Sequence, residues 1–274
     1  MISLRPLSGF RFPILAQCIS PDVFQGKTLP EIEALQVWEG NKQKKLGELF
    51  KLDEVNVENQ TESVAIQVFG DVSKVRRIGS GMKSGEMTIN GDAGMHLGEE
   101  MKGGKITVQG NAGGWVGSMM KGGSIEVHGN AGDYLGAPYR GCPEGMRGGT
   151  AIVHGNVGNE AGAHMKKGTI KIYGGAGQFL GFRMVDGTIY AKGDCEGRAG
   201  ACMVGGKIVI GGHLESVLPS FTIDSIRPRV KIEKSEVADG PLYVFLGDLT
   251  ENGNGKLYVS KDKNPHLSYC EKFL

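Results

Sequence analysis

From residue 72 to residue 212 the apolar positions of the chain recur with a period of nineteen residues. Near the end of each block stand two apolar residues one position apart: Met87/Ile89, Ile106/Val108, Ile125/Val127, Ala151/Val153, Ile170/Ile172, Ile189/Ala191 and Ile208/Ile210. A spacing of two puts both side chains on one face of a strand. A second wall comes from Ile78, Leu97, Val116, Leu135, Ala161, Leu180 and Ala199, and each block then carries a methionine: Met82, Met101, Met120, Met146, Met165, Met184 and Met203. Methionine is flexible and apolar, and suits an interior that must be filled at every level.

Glycine punctuates this pattern in three columns. Each block closes on one (Gly91, Gly110, Gly129, Gly155, Gly174, Gly193, Gly212). A second column reads Gly79, Gly98, Gly117, Gly136, Gly162, Gly181, Gly200, and a third Gly85, Gly104, Gly123, Gly149, Gly168, Gly187, Gly206. Turn residues every few positions leave no stretch long enough for a helix, so each block is predicted to be a coil of short strands joined by tight corners. A lone coil cannot bury its own apolar face; stacking at ~4.8 Å pairs the backbones and lines the side chains into ladders. The expected fold class is therefore all-β: a single-stranded, right-handed parallel β-helix, a solenoid of about seven coils and roughly 30–35 Å long. Asp92, Asn111, Asn130, Asn156 and Asp194 directly follow closing glycines and suit Asx-type turns.

The flanks lack the repeat. Residues 1–68 are read as an α+β N-terminal cap, with strands near Ile2–Leu4, Phe12–Leu15 and Val64–Val68 and a helix near Leu29–Leu35. Residues 69–212 form the repeat domain. Residues 213–274 are read as capping strands around Arg229–Ile232, Leu242–Leu246 and Leu257–Val259, with a turn at Asn252-Gly253. End coils need covers because bare strand edges invite association.

One block breaks the period: between Gly129 and Gly155 the chain is seven residues longer and carries Ala137 to Gly145. A loop inserted in a solenoid projects from one face and often binds. Pro138, Tyr139, Arg140 and Pro143 are the candidate contact with another subunit. Tyrosine and arginine combine contact area with directional hydrogen bonds, and the prolines limit the entropy lost on docking. Neither Tyr139 nor Arg140 belongs to a ladder column, so replacing both by alanine is expected to weaken assembly and leave the melting temperature nearly unchanged.

Composition narrows the partners. A net charge of +1 over 274 residues offers no electrostatic footprint for nucleic acid or an anionic membrane, and no run approaches the ~20 apolar residues of a membrane span. Leu15-Ala16-Gln17-Cys18 is faintly like a lipoprotein cleavage site, but Arg11 and Pro13 interrupt any apolar stretch before it. The five cysteines form no Cys-x-x-Cys pair. They are read as reduced structural thiols of a cytoplasmic protein.

Little in the pattern carries chemistry. His128 and His154 share a column with Gln109 and Tyr173, but two imidazoles without a nearby cysteine or carboxylate column fall short of a zinc or iron site. They are read as an exposed polar ladder. His96 and His164 fall at other positions and have no predictable partner. Gly110-Asn111-Ala112-Gly113 has no helix after it to bind a phosphate. The period does not divide by six, as hexapeptide acyltransferases would require, and no acidic and basic flank of a polysaccharide lyase is present.

The repeated Gly-x-hydrophobic-Gly, Met, Gly-Gly-x-Ile-x-Val pattern, clearest from Gly110 to Gly129, resembles the glycine-repeat domain at the carboxyl end of the glutamate synthase large subunit. The same domain makes up most of the C-subunit of formylmethanofuran dehydrogenase and of a related subunit in the formyltransferase/hydrolase complex of methylotrophs. A free-standing chain of this size fits the C-subunit family of formylmethanofuran dehydrogenase, and lysine in excess of arginine favours an archaeal source. The resemblance implies a scaffold in a complex that reduces CO2 to formate at a tungsten or molybdenum pterin and condenses it with methanofuran at an amidohydrolase-like metal site. The pterin, the iron–sulfur clusters and the hydrolase metal would lie in a formate dehydrogenase-like subunit, ferredoxin-like subunits and the amidohydrolase-like subunit. It implies no catalytic, cofactor-binding or metal-binding residue in this chain.

Overall fold

The computed structural model describes residues 1–54, 64–234 and 236–274, so residues 55–63 of the leading segment lie outside the described residues. The chain is mostly β. Its strands are β1 (Ile2–Pro6), β2 (Ile14–Leu15), β3 (Gln36–Glu39), β4 (Lys42–Lys45), β5 (Phe50–Glu54), β6 (Ala65–Phe69), β7 (Val75–Arg76), β8 (Glu86–Asn90), β9 (Lys105–Val108), β10 (Ser124–Val127), β11 (Arg147–Val153), β12 (Lys167–Ile172), β13 (Thr188–Ala191), β14 (Lys207–Ile210), β15 (Thr222–Lys231), β16 (Val237–Gly247) and β17 (Gly255–Ser260). Two short helices, α1 (Pro21–Phe24) and α2 (Leu29–Glu33), lie in the leading segment.

The main sheet is open and thirteen-stranded, in the order β15-β16-β17-β14-β13-β12-β11-β10-β9-β8-β6-β1-β5. From β6 to β14 neighbours pair in parallel, each repeat adding one strand in the register of the apolar columns: Ile106 faces Ile125, Val108 faces Val127, and Ile125 in turn faces Ala151. A second line of parallel bridges runs Val72, Ala93, Ala112, Ala131, Val157, Ala176, Cys195, Leu214. The seven methionines of the repeat column are fully buried. Cys195 belongs to the second line, and burial pushes its thiol up to about 12; all five cysteines are unpaired.

Two glycine positions show why the columns are glycine. Gly123 has φ +81, and a Cβ there would stand 2.8 Å from the Gly104 carbonyl oxygen and from Met101 Cε. Gly129 lies so close to the previous repeat that a Cβ would meet Asn111 Oδ1 at 2.6 Å. That second contact revises the reading of the Asx column. Asp92 Oδ1 accepts the backbone N–H of Asn111 (2.7 Å), Asn111 Oδ1 that of Asn130 (2.9 Å), and Asn130 Oδ1 that of Asn156 (2.8 Å). Asn156 and Asp194 likewise accept from Gly175 and His213. These side chains bond between repeats rather than within their own turn, because the next repeat's N–H lies within reach and glycine removes the Cβ that would hold the repeats apart.

At the leading end β1 pairs parallel with β6 and antiparallel with β5, turning the sheet away from further parallel growth. The backbone N–H and hydroxyl of Thr28 both donate to Glu31 at 2.8 Å and start α2. At the other end β17 takes the next parallel place beside β14, and β16 closes it antiparallel. The β15–β16 hairpin also folds over the outer face of the sheet. There Val230, Ile232, Ala238 and Leu242 form a small core of their own with Tyr190 and Val209. Lys171, 8% exposed, sits at its margin with Nζ 2.6 Å from Glu233 and 2.8 Å from Glu236. The sequence carries a signal for this cover: Ile189-Tyr190-Ala191 and Ile208-Val209-Ile210 are unbroken apolar runs, as in strands buried on both faces.

Candidate interaction site at the inserted loop

In every repeat without the insertion, one corner residue takes a left-handed conformation: Gly81, Glu100, Met119, His164, Arg183 and Cys202 all have φ between 52° and 68°. The fourth repeat has Pro138 at this position, and a pyrrolidine ring locks φ near −65°. The chain therefore cannot turn the corner and leaves the repeat path. It returns at Met146, whose N–H donates to Gly136 O at 2.8 Å. Met120 N–H makes the same bond to Gly117 O, so the loop hangs inside a hydrogen bond that every repeat makes.

The loop does not stand clear of the body. The buried hydroxyl of Ser118 donates to Ala137 O at 2.7 Å. Tyr139 runs back along the preceding repeats, where its hydroxyl accepts from Arg77 (3.0 Å), donates to Glu99 Oε1 and lies 3.1 Å from His96 Nδ1. Glu99 is 3% exposed; Arg77 Nε approaches its Oε2 at 3.3 Å, but that oxygen takes no hydrogen bond among the described residues. Burial and the Glu99 carboxylate raise the Tyr139 phenol, while burial lowers His96. Tyr139 is thus held within its own chain, which corrects the expectation that its loss would leave stability unchanged: its partners lie 40 to 62 residues away and no column marks them. Arg140 and Pro143 are exposed, and Pro138 is buried. At the loop's return Glu144 binds Arg147 (2.7 Å) and Lys166 (2.9 Å); the Lys166 ammonium, then Arg147, holds its carboxyl below the usual range.

Between this loop and the corner beneath it lies an open cleft of about 320 Å³, walled by Trp115, Tyr134, Tyr139, His164, Phe182 and Arg183. Its floor belongs to an aromatic stack: His96 on Trp115 (5.2 Å, 21°) and Trp115 on Tyr134 (4.4 Å, 20°), all three at left-handed corner positions. Repeat stacking sets the spacing, so consecutive corner side chains fall face to face. His164 meets Phe182 edge-on at 5.8 Å, which supplies the partner that spacing alone could not. Stacked aromatic faces with arginines at the rim suit contact with a protein segment.

The ladder of Gln109, His128, His154 and Tyr173 faces outward on the main sheet. His128 and His154 stack at 4.8 Å with 6° between their planes, and Tyr173 lies 5.3 Å from His154. Sequence reasoning found no carboxylate for this pair; the structure places one. Glu126 Oε1 is 2.9 Å from His154 Nε2. The available signal was its position two residues before His128, which puts both on one strand face. His154 belongs to the next repeat and is separated from it by the insertion.

Comparison with known proteins agrees with this geometry. No protein-family model matches the chain. The C-subunit of the tungsten-containing formylmethanofuran dehydrogenase 2 of Methanococcus maripaludis is 50% identical over 262 residues, covering 93% of this chain and 94% of that protein. The C-subunit of the molybdenum-containing formylmethanofuran dehydrogenase 1 of Methanothermobacter marburgensis is also 50% identical, but over 94 residues, 34% of this chain and 22% of that longer relative. Among solved structures, a chain of the formyltransferase/hydrolase complex from Methylorubrum extorquens, determined with methylofuran, superposes with a TM-score of 0.82 at 26% identity over 94% of this chain and 99% of its own. A match at half identity over nearly the full length of both chains leaves one conclusion: the chain belongs to the C-subunit family of formylmethanofuran dehydrogenases.

Proposed function

We propose that this chain is the structural subunit of a formylmethanofuran dehydrogenase, a scaffold that holds together the subunits reducing CO2 to formate and condensing it with methanofuran in the cytoplasm of a methanogen. Its repeats wind as seven right-handed coils of a parallel β-helix, with residues 1–68 and 213–274 as end caps. The pterin-bound tungsten or molybdenum, the iron–sulfur clusters and the hydrolase metal belong to the partners, and this chain does no catalysis. The observation that carries the reading is the 50% identity to the corresponding subunit of a tungsten enzyme over nearly the full length of both chains. The complete ladder columns support it, since they make a body stiff enough to fix partners at a distance. Pro138, Tyr139, Arg140 and Pro143 serve as a contact with a partner subunit, with Tyr139 anchoring the loop and Arg140 and Pro143 presenting it.

Purification from the native source with identification of partners tests this. Co-elution with a pterin-containing subunit and an amidohydrolase-like subunit is expected; elution alone with dehydrogenase activity would sink the scaffold. A second reading, the scaffold of a formyltransferase/hydrolase complex, is favoured by the overlap with the Methylorubrum chain. A formyltransferase subunit in place of the pterin-containing one would select it.

A further inference from the structure

We propose that Glu126, His128 and His154 form a binding site for a borderline divalent transition-metal ion, Zn2+ foremost, on the outer face of the main sheet. One donor atom from each residue lies within 4.8 Å of the others. An ion holding nitrogen and oxygen donors at about 2.1 Å needs them roughly 3.3 Å apart. The required closure is at most about 1.5 Å, and all three side chains reach solvent and can rotate to make it.

Their backbones, in contrast, are fixed. Glu126 pairs with Ile152 in the β10–β11 ladder, and the following Val127–Val153 rung sets His128 beside His154. Glu126 Oε1 already faces His154 Nε2 at 2.9 Å, while its Oε2 turns towards Lys105 at 3.9 Å. The carboxylate thus has one oxygen for the ion and one held by a cation, and Tyr173 backs the His154 ring. Two imidazoles and one carboxylate select Zn2+, Co2+ or Ni2+ over Mg2+, which demands oxygen donors and keeps its water. Three protein donors on an open face leave further coordination positions pointing outward. His128 precedes the inserted loop and His154 follows it, so the ion would clamp the two ends of the repeat that carries the loop.

Calorimetric titration of the full, tag-free chain with Zn2+ is the test. One equivalent is expected to bind, with Co2+ taking the same place and Mg2+ failing to compete. Zn2+ should raise the melting temperature of the parent but not of H128N/H154N, whose affinity should fall by about tenfold or more, with E126Q also weakened. The metal-free melting curves of these variants should lie close to the parent's, because both histidines are exposed and the Glu126 pair they give up reaches solvent. The other close imidazole pair, His213 and His266 at 5.0 Å, is the control. Loss of binding in H213N/H266N, undiminished binding in H128N/H154N, or no uptake by the parent would each overturn the site.

Discussion

Met101 Cε lies 2.8 Å from the point a Cβ on Gly123 would take, one repeat further along the sheet. The same relation joins Met82 to Gly104, Met120 to Gly149 and Met165 to Gly187, so the methionine and glycine columns describe a single contact. Gly123→Val should therefore cost several kcal/mol, through a left-handed φ closed to valine and a collision with both Met101 and the Gly104 carbonyl. Gly168→Val should behave alike. In Gly123→Ala, adding Met101→Ala should cost less than it does alone, because the methyl enters space the thioether has left. Thermal melting of the single and double variants reads the coupling, and strict additivity would refute the shared contact.

The loop anchor makes a different forecast. Tyr139→Phe removes the hydroxyl that donates to the buried Glu99, and should cost about 1–3 kcal/mol. Arg140→Ala should leave the melting temperature within error and weaken association with partner subunits instead. A Tyr139→Phe variant that melts like the parent would show that the phenol contact adds nothing.

Acid should loosen the same corner. Burial lowers the folded-state pKa of His96 and of His164. The unfolded chain therefore binds more protons in that range, so this contribution is present above about pH 6.5 and is lost as pH falls through the depressed folded values. Melting temperatures measured from pH 7.5 down to 5.5 should decline. The decline should be shallower in His96→Gln than in the parent, and parallel curves would remove His96 as a contributor.

The hairpin cover should open independently of the repeats. Ile232→Ala empties part of the small outer core and should cost about 2 kcal/mol, at the low end for such a truncation. Hydrogen exchange should quicken in β15 and the first half of β16, with β9 to β12 unchanged. Lys171→Met should cost more when Glu233 and Glu236 are kept than when both are made glutamine. Burial alone would lower the Lys171 pKa; the two carboxylates more than offset it and raise it, so deleting the ammonium leaves them facing each other.

Much of the core could be read from residues 72 to 212 because a stacked repeat makes its long-range contacts local in pattern. Ile125 meets Ile106 and Ala151 for the same reason at every level, and periodicity reports neighbours that sequence distance hides. Contacts outside the columns followed no such rule. The short strands β3 and β4, the link from Tyr139 to Arg77 and Glu99, and the hairpin lying on Tyr190 and Val209 each depend on where a non-repeating segment comes to rest.

The chain pattern by itself determined the parallel ladder, the buried methionines and the position of the insertion. Tertiary structure alone decided that Tyr139 turns inward, that the asparagines bond between repeats, and that Glu126 joins two histidines. The difference is physical: a ladder repeats one short-range solution, enforced by ~4.8 Å stacking, whereas a loop or a surface cluster takes the single arrangement that satisfies its own charges and hydrogen bonds.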